Sequence, residues 1–229
     1  MTRTLYELAG QQNRLHSPFV LRTKYALAHK GLDYMSVKCG FGEIKSICEG
    51  RQSRVPVLVD GEKEINDSGA IAAYLEETYP DSPSLKLDED ATKSADEIIG
   101  KIAFGAFFPF YAADVIAIVK PEDEAYFRST RESFLGAPLE DIRAGRDAKL
   151  AESRAALEPL RDLLGDGPWI NGETPGYGDY IVLAFFGWIR GVATAAPLAA
   201  DDPLVAYLDR GFALYDGLVA NLPGGPIAA

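Results

Sequence analysis

The sequence predicts an α/β layer over its first 80 residues followed by an all-helical second half. Three observations predict it. Short strand-like runs alternate with helical runs before residue 80, a stretch rich in Pro, Ser and acids (PDSPSLKLDED, 80–90) follows, and beyond it apolar residues recur at helical spacing. A chain of 229 residues, 47% of them hydrophobic, is long enough to bury two modest cores. The expected division is an α/β domain at 1–80, a linker at 81–90 and a helical domain at 91–229.

Residues 4–8 read as the first strand. After a polar loop, Ser17 followed by Pro18 signals a helix start, because Ser caps free N–H groups and Pro suits the first helical position. That helix runs to about residue 30, where Gly31 stops it. A second strand is expected at 32–37, a short helix at 43–49 and a third strand at 55–59, opening with Val55-Pro56. Asp60-Gly61 then turns the chain into 63–65, since Asp-Gly tolerates the positive φ of a hairpin turn. A helix over 68–79 closes the unit, and the order strand, helix, strand, helix, hairpin, helix is thioredoxin-like. In the second half Ile98, Ile102, Phe107 and Tyr111, then Leu150, Leu157, Leu160 and Leu164, keep helical spacing. Gly176 to Asp179 precedes an apolar run, Tyr180 to Trp188, that must be buried on nearly every side. The last seven residues, PGGPIAA, are expected to fray.

Charge and composition exclude several classes. A formal charge of −11, from 23 basic and 34 acidic residues, opposes a polyanion, so no nucleic-acid partner is expected. No apolar run approaches the roughly 20 residues of a bilayer span, and the N-terminus moves into strand-like sequence without a signal-type stretch. A cytoplasmic chain with no membrane partner is the expectation. Cys39 and Cys48 form no C-x-x-C pair and read as inert thiols. His16 and His29 cannot by themselves make a metal site, so no metal is expected.

The order of elements, together with Ser17-Pro18, Val55-Pro56 and Asp67-Ser68, resembles the glutathione transferases across the whole chain. The stretches SPFVLRTKYALAHKGL, FLGAPLEDIRAGRDAKL and DDPLVAYLDRGFALYDGL are most similar to the bacterial β-etherase-type members, which use glutathione to cleave β-aryl ethers of lignin-derived compounds. The resemblance implies a thioredoxin-like domain followed by an all-α domain, with glutathione as co-substrate, an aromatic electrophile as the other substrate and a homodimer as the assembly. It makes Ser17 the catalytic residue, its hydroxyl donating to the glutathione sulfur at a helix N-terminus. On local sequence alone Ser17 is an ordinary N-cap.

Further roles follow from the same likeness. Val55-Pro56 becomes a cis-proline turn that offers the Val55 backbone to the cysteinyl main chain of glutathione. Ser68 and the N–H groups of its helix suit the γ-glutamyl carboxylate, and Asp67 the ammonium group; plain helix capping explains both equally well. One of Arg51, Gln52 and Arg54 takes the glycyl carboxylate, and Asn13, Arg14 and His16 lie in the loop before Ser17. Phe104, Phe107, Phe108 and Tyr111, with Phe110, are placed on the helix that borders the electrophile pocket, although aromatic stripes at helical spacing are usually core. Where the family begins a capping box with Ser or Thr, this chain has Gly176, which predicts a slightly weaker local fold. General transfer to other electrophiles, such as halogenated aromatics, and a non-catalytic binding protein of the same fold are the alternatives.

Overall fold

In the computed structural model, residues 3–229 are described, those at 103 and 104 by backbone alone. β1 (Arg3–Leu8) buries Leu5 and Leu8 and lies at the centre of the first layer. β2 (Tyr34–Cys39) runs parallel to it and β3 (Val57–Asp60) antiparallel, with Leu5 facing Ser36 on one side and Leu58 on the other. β4 (Lys63–Asn66) completes the order β2-β1-β3-β4 through the Asp60-Gly61 hairpin, where Gly61 has φ +63°. α1 (Pro18–His29) and α2 (Ser68–Thr78) accompany the sheet, and the first layer is the thioredoxin-like arrangement that the sequence predicts. Three local expectations differ, the first being the second strand, which runs 34–39 and not 32–37 because Leu32 N–H still bonds back to the Leu27 carbonyl at the end of α1. Residues 44–50 form irregular 3₁₀ turns with Cys48 and Glu49 at positive φ, and the third strand starts two residues late because Val55 and Pro56 belong to the turn before it.

The second half is helical: α3 (Asp90–Ile102), α4 (Phe108–Val115), α5 (Glu124–Leu135), α6 (Leu139–Ala144), α7 (Arg146–Ala155), α8 (Glu158–Leu164), α9 (Tyr177–Val192) and α10 (Leu204–Phe212). A π turn, Ala103–Phe107, joins α3 to α4. Pro109 explains it, because a proline at the second position of α4 has no N–H to continue the ladder of α3. The rod from Asp90 to Val115 is by length and composition able to cross a membrane, contrary to the expectation of no such stretch, but half of its apolar window is buried within the protein. α3 spends that apolar face on α9.

α9 is the centre of the second core, and its residues from Tyr177 to Ile189 are buried throughout, as the sequence predicts. It also packs along α1. Gly187 allows this: a Cβ there would stand 3.1 Å from Leu21 Cδ1 and 3.2 Å from Val219 Cγ1. At Gly191 a Cβ would lie 3.0 Å from the Leu15 carbonyl oxygen, and Arg14 Nη2 donates to the Gly191 carbonyl at 2.5 Å. Tyr25 reaches from α1 to the Gly211 carbonyl of α10 at 3.1 Å and stacks on Tyr180 of α9, with centroids 5.1 Å apart.

The C-terminal tail does not fray. Leu198 N–H donates to the Ile227 carbonyl and Ala229 N–H returns to Leu198, both at 3.1 Å, while Gly225 N–H donates to the Arg190 carbonyl at 2.8 Å. Gly224 permits this docking, since a Cβ there would meet the Arg190 carbonyl oxygen at 2.6 Å. The backbone of the tail therefore satisfies a carbonyl at the end of α9 that would otherwise lack a partner.

At the start of α9, Gly176 offers no side chain, and Asp179 alone carries the polar half of the box. Its carboxylate accepts from Gly176 N–H (3.0 Å), Ile170 N–H (2.8 Å), Asn171 N–H (3.2 Å) and Tyr207 hydroxyl (3.0 Å). Far from a weak point, the fully buried Asp179 ties α9 and α10 to the loop before them. Asp179→Ala leaves these donors buried without a partner and is expected to cost about 3 kcal/mol. Urea unfolding followed by circular dichroism measures the loss; an unchanged midpoint contradicts it.

Candidate functional site

A cleft of about 810 Å³ opens between the two halves. On one side lie Ser17, Arg54, Val55, Asp67 and Ser68; on the other, Phe108 of α4, Phe127 and Arg131 of α5, and Tyr177, Ile181, Phe185 and Trp188 of α9. Each position follows from local structure. Ser17 has extended dihedrals, φ −130° and ψ 120°, and caps α1 with its Oγ accepting from Val20 N–H at 3.4 Å. That bond uses an oxygen lone pair, so the hydroxyl proton is left to donate into the cleft. Pro18, at the first helical position, adds no competing N–H.

Asp67 caps α2 in the same way but more strongly, its Oδ1 accepting from Gly69 N–H at 2.8 Å and Ala70 N–H at 3.2 Å. Its φ of +80° turns the chain sharply from β4 into the helix. Ser68 is buried beneath it, and its carbonyl accepts from the Tyr177 hydroxyl at 2.9 Å. The start of α2 is thus fixed to the start of α9. The Val55-Pro56 bond is cis, Pro56 is buried and Val55 faces the cleft. Asn66 Nδ2 donates to the Arg54 carbonyl at 2.8 Å and holds this turn against β4.

The residues named from sequence do not all meet here. Among the three candidates before the turn, Arg54 lines the cleft. Arg51 instead pairs with Glu49 (2.7 Å) and Glu64 (2.5 Å), and Gln52 Nε2 donates to Glu64 at 3.3 Å. Glu64, on the neighbouring strand, draws both away from the site. Phe108 lines the cleft, whereas Phe107 and Tyr111 are buried in the core. Phe107 meets Phe185 edge-on with centroids 6.1 Å apart, and the Tyr111 hydroxyl donates to the Ala195 carbonyl at 3.3 Å. The π turn re-phases the helix after Ile102, so that Phe108 faces the cleft while Phe107 and Tyr111 face inward. The side chain of Phe104 lies outside the described residues, and Phe110 packs against the core without lining the cleft. In the loop before Ser17, Asn13 is exposed, Arg14 is spent on α9 and His16 lines the cleft.

Sequence reasoning missed the far wall. Phe41, Tyr126, Phe127 and Arg131 come from a loop after β2 and from α5, and no local pattern links those segments. Asp123 makes the link: its carboxylate accepts from Phe41 N–H and Gly42 N–H, each at 2.7 Å. Gly40 is required there, because a Cβ would stand 2.2 Å from Asp123 Oδ2. Cys39 lies buried at the end of β2, and burial pushes its thiol up to about 11, which leaves it inert as a nucleophile.

His16 sits between Ser17 and Phe41, its ring 5.5 Å from the Phe41 ring. Burial drives its pKa down to about 4, the positive charge of Arg131 pushing the same way, while a backbone hydrogen bond and Asp123 oppose it. The unfolded chain takes up this proton near 6.5 and the folded protein only near 4, so stability is whole above pH 6.5 and declines as pH falls through that window. The loss amounts to about 3 kcal/mol by pH 4. Urea midpoints between pH 7 and 4.5 should fall more steeply in the native protein than in His16→Gln; parallel curves contradict the buried neutral imidazole.

Comparison with known proteins agrees with this geometry. Residues 13–84 match the family model of the glutathione S-transferase N-terminal domain, and residues 93–198 that of the glutathione S-transferase C-terminal domain. The chain is similar to glutathione S-transferase U17 of Arabidopsis thaliana, 29% identical over 178 residues that cover 76% of this chain and 70% of that one. It is similar also to maleylacetoacetate isomerase of Pseudomonas aeruginosa, 28% identical over 201 residues, 80% and 86% of the two chains. In fold it matches a glutathione S-transferase of Ceriporiopsis subvermispora crystallised with glutathione, with a TM-score of 0.76 and 24% identity over 98% of this chain and 100% of that one. With both of its halves matched in order and the sheet, the helical layer and the cleft between them arranged accordingly, the chain belongs to the glutathione S-transferase superfamily.

Proposed function

We propose that this protein is a glutathione transferase in which Ser17 stabilises the glutathione thiolate for attack on an aromatic electrophile. The observation that carries this reading is the convergence of Ser17, Val55, Asp67 and Ser68 on one side of a cleft whose other side is aromatic. A thiol of pKa about 8.5 is mostly protonated at neutral pH. The free Ser17 proton, with the N–H groups and positive end of α1, favours the charged sulfur. No proton acceptor is required of Ser17, because stabilising the anion is sufficient. Val55 offers main-chain groups for the cysteinyl segment, Ser68 and the N-terminus of α2 suit the γ-glutamyl carboxylate, and Asp67 suits the ammonium. Of the three basic or amide candidates, Arg54 is assigned to the glycyl carboxylate, since it lines the cleft while Glu64 holds Arg51 and Gln52.

For the electrophile, we propose cleavage of a β-aryl ether beside a ketone, as in lignin-derived compounds. The thiolate attacks the carbon bearing the aryloxy group, a C–S bond forms as the C–O bond breaks, and the electron pair leaves on the phenolate. The solvent takes the thiol proton. Support comes from the sequence likeness to β-etherase-type enzymes and from the aromatic wall of Phe108, Phe127, Phe185 and Trp188. Incubation with glutathione and a β-aryl ether ketone should release the phenol and give the thioether, and Ser17→Ala should lower kcat/KM about 10²-fold with little change in glutathione affinity. Turnover of 1-chloro-2,4-dinitrobenzene alone would replace ether cleavage by general transfer. Binding of glutathione with no turnover of either substrate would make the protein a non-catalytic member of the family.

A further inference from the structure

Arg131 stands out among the charged side chains of the cleft. Arg22 pairs with Asp96 at 3.2 Å, Lys93 with Asp90 at 3.7 Å, and Asp67, on the Ser17 side, caps α2 through its Oδ1. Arg54 is exposed and lies beside Val55. Arg131 is half-buried, and no carboxylate among the described residues pairs with it. Its guanidinium lies over the Phe127 ring, 4.9 Å from the centroid, and over the Phe41 ring at 5.4 Å; Nη1 donates to Thr130 Oγ1 at 3.0 Å. These contacts fix the group without neutralising it. Asp123, an acid on that wall, has both oxygens engaged by Phe41 and Gly42 N–H. The Tyr126 and His16 rings also pack against Phe41; Tyr126 is a phenol, and His16, with its pKa lowered to about 4, carries no negative charge in either form. Burial also lowers the Arg131 pKa, a sign that the charge lacks compensation.

A half-buried guanidinium held on an aromatic wall is a fork for a carboxylate. We propose that Arg131 forms an anion subsite in the electrophile half of the cleft, and that the substrate class is aromatic electrophiles bearing a carboxylate. The carboxylate would take the unused N–H groups of Arg131 while the substrate ring lies against Phe41, Phe127 and Trp188. This assignment rests on the reading that glutathione occupies the Ser17 side, so the test separates the two.

Three ligands serve, measured by calorimetry on the full chain: S-methylglutathione, S-(4-carboxybenzyl)glutathione and S-(4-carbamoylbenzyl)glutathione. S-methylglutathione reports on the glutathione half alone, and its failure to bind overturns the glutathione reading itself. Where it binds, the native protein should hold the carboxybenzyl conjugate about tenfold more tightly than the carbamoyl one. Arg131→Met should abolish that preference and leave S-methylglutathione affinity unchanged, which also shows that the variant folds. Arg131→Lys should keep part of it, since the charge remains but the fork is lost. Equal binding of the two conjugates by the native protein, or a preference undiminished in Arg131→Met, overturns the anion subsite.

Discussion

The packing of α1 along α9 is the contact on which the rest of the molecule depends. Gly187 and Gly191 bring α9 against Leu21 and the Leu15 carbonyl, and Arg14 crosses to the Gly191 carbonyl. The approach sets the N-terminal end of α1, where Ser17 sits, opposite the face of α9 that carries Ile181, Phe185 and Trp188. A larger residue at either glycine would separate the helices and with them the two walls of the cleft. The Tyr177 hydroxyl repeats the constraint further along, binding the Ser68 carbonyl and so the start of α2 to the start of α9. Two helix N-termini from one layer are thereby held at fixed places beside one helix of the other.

Both of those N-termini carry side-chain caps, and the caps serve position as well as stability. Ser17 and Asp67 each satisfy orphan N–H groups of the helix that follows. What remains unsatisfied, the Ser17 proton and the field of α1, faces the cleft. The opposite wall is built on different physics. Phe41 and Phe127 hold Arg131 through their ring faces, and Asp123 holds Phe41 through its backbone. Polar groups there position the aromatics, and the aromatics position the Arg131 guanidinium.

Much of this was legible in the sequence, and the reason lies in which signals are local. Ser17-Pro18, Asp60-Gly61 and Asp67-Ser68 specify caps and a turn over two residues each, so they are read correctly from neighbours alone. The apolar run of Tyr180 to Trp188 likewise announces a buried helix. The errors arose where a distant contact decides. Glu64 diverts Arg51 and Gln52 from the site, the π turn before Pro109 turns Phe107 and Tyr111 inward, and Arg190 captures a tail whose composition suggests disorder. The Phe41, Phe127 and Arg131 wall was invisible because its segments are about 80 residues apart and joined by Asp123.

The central claim is that Ser17, at the end of α1, lowers the thiol pKa of glutathione bound in this cleft, and titration of the bound thiolate tests it most directly. With the protein in excess over glutathione, the ultraviolet absorbance of the thiolate is followed from acid to alkaline pH in the native protein and in Ser17→Ala. The native midpoint should lie at least about one unit below the free value of about 8.5, and that of Ser17→Ala should return toward it. Midpoints that coincide in the two proteins, with glutathione bound to both, would contradict the role assigned to Ser17.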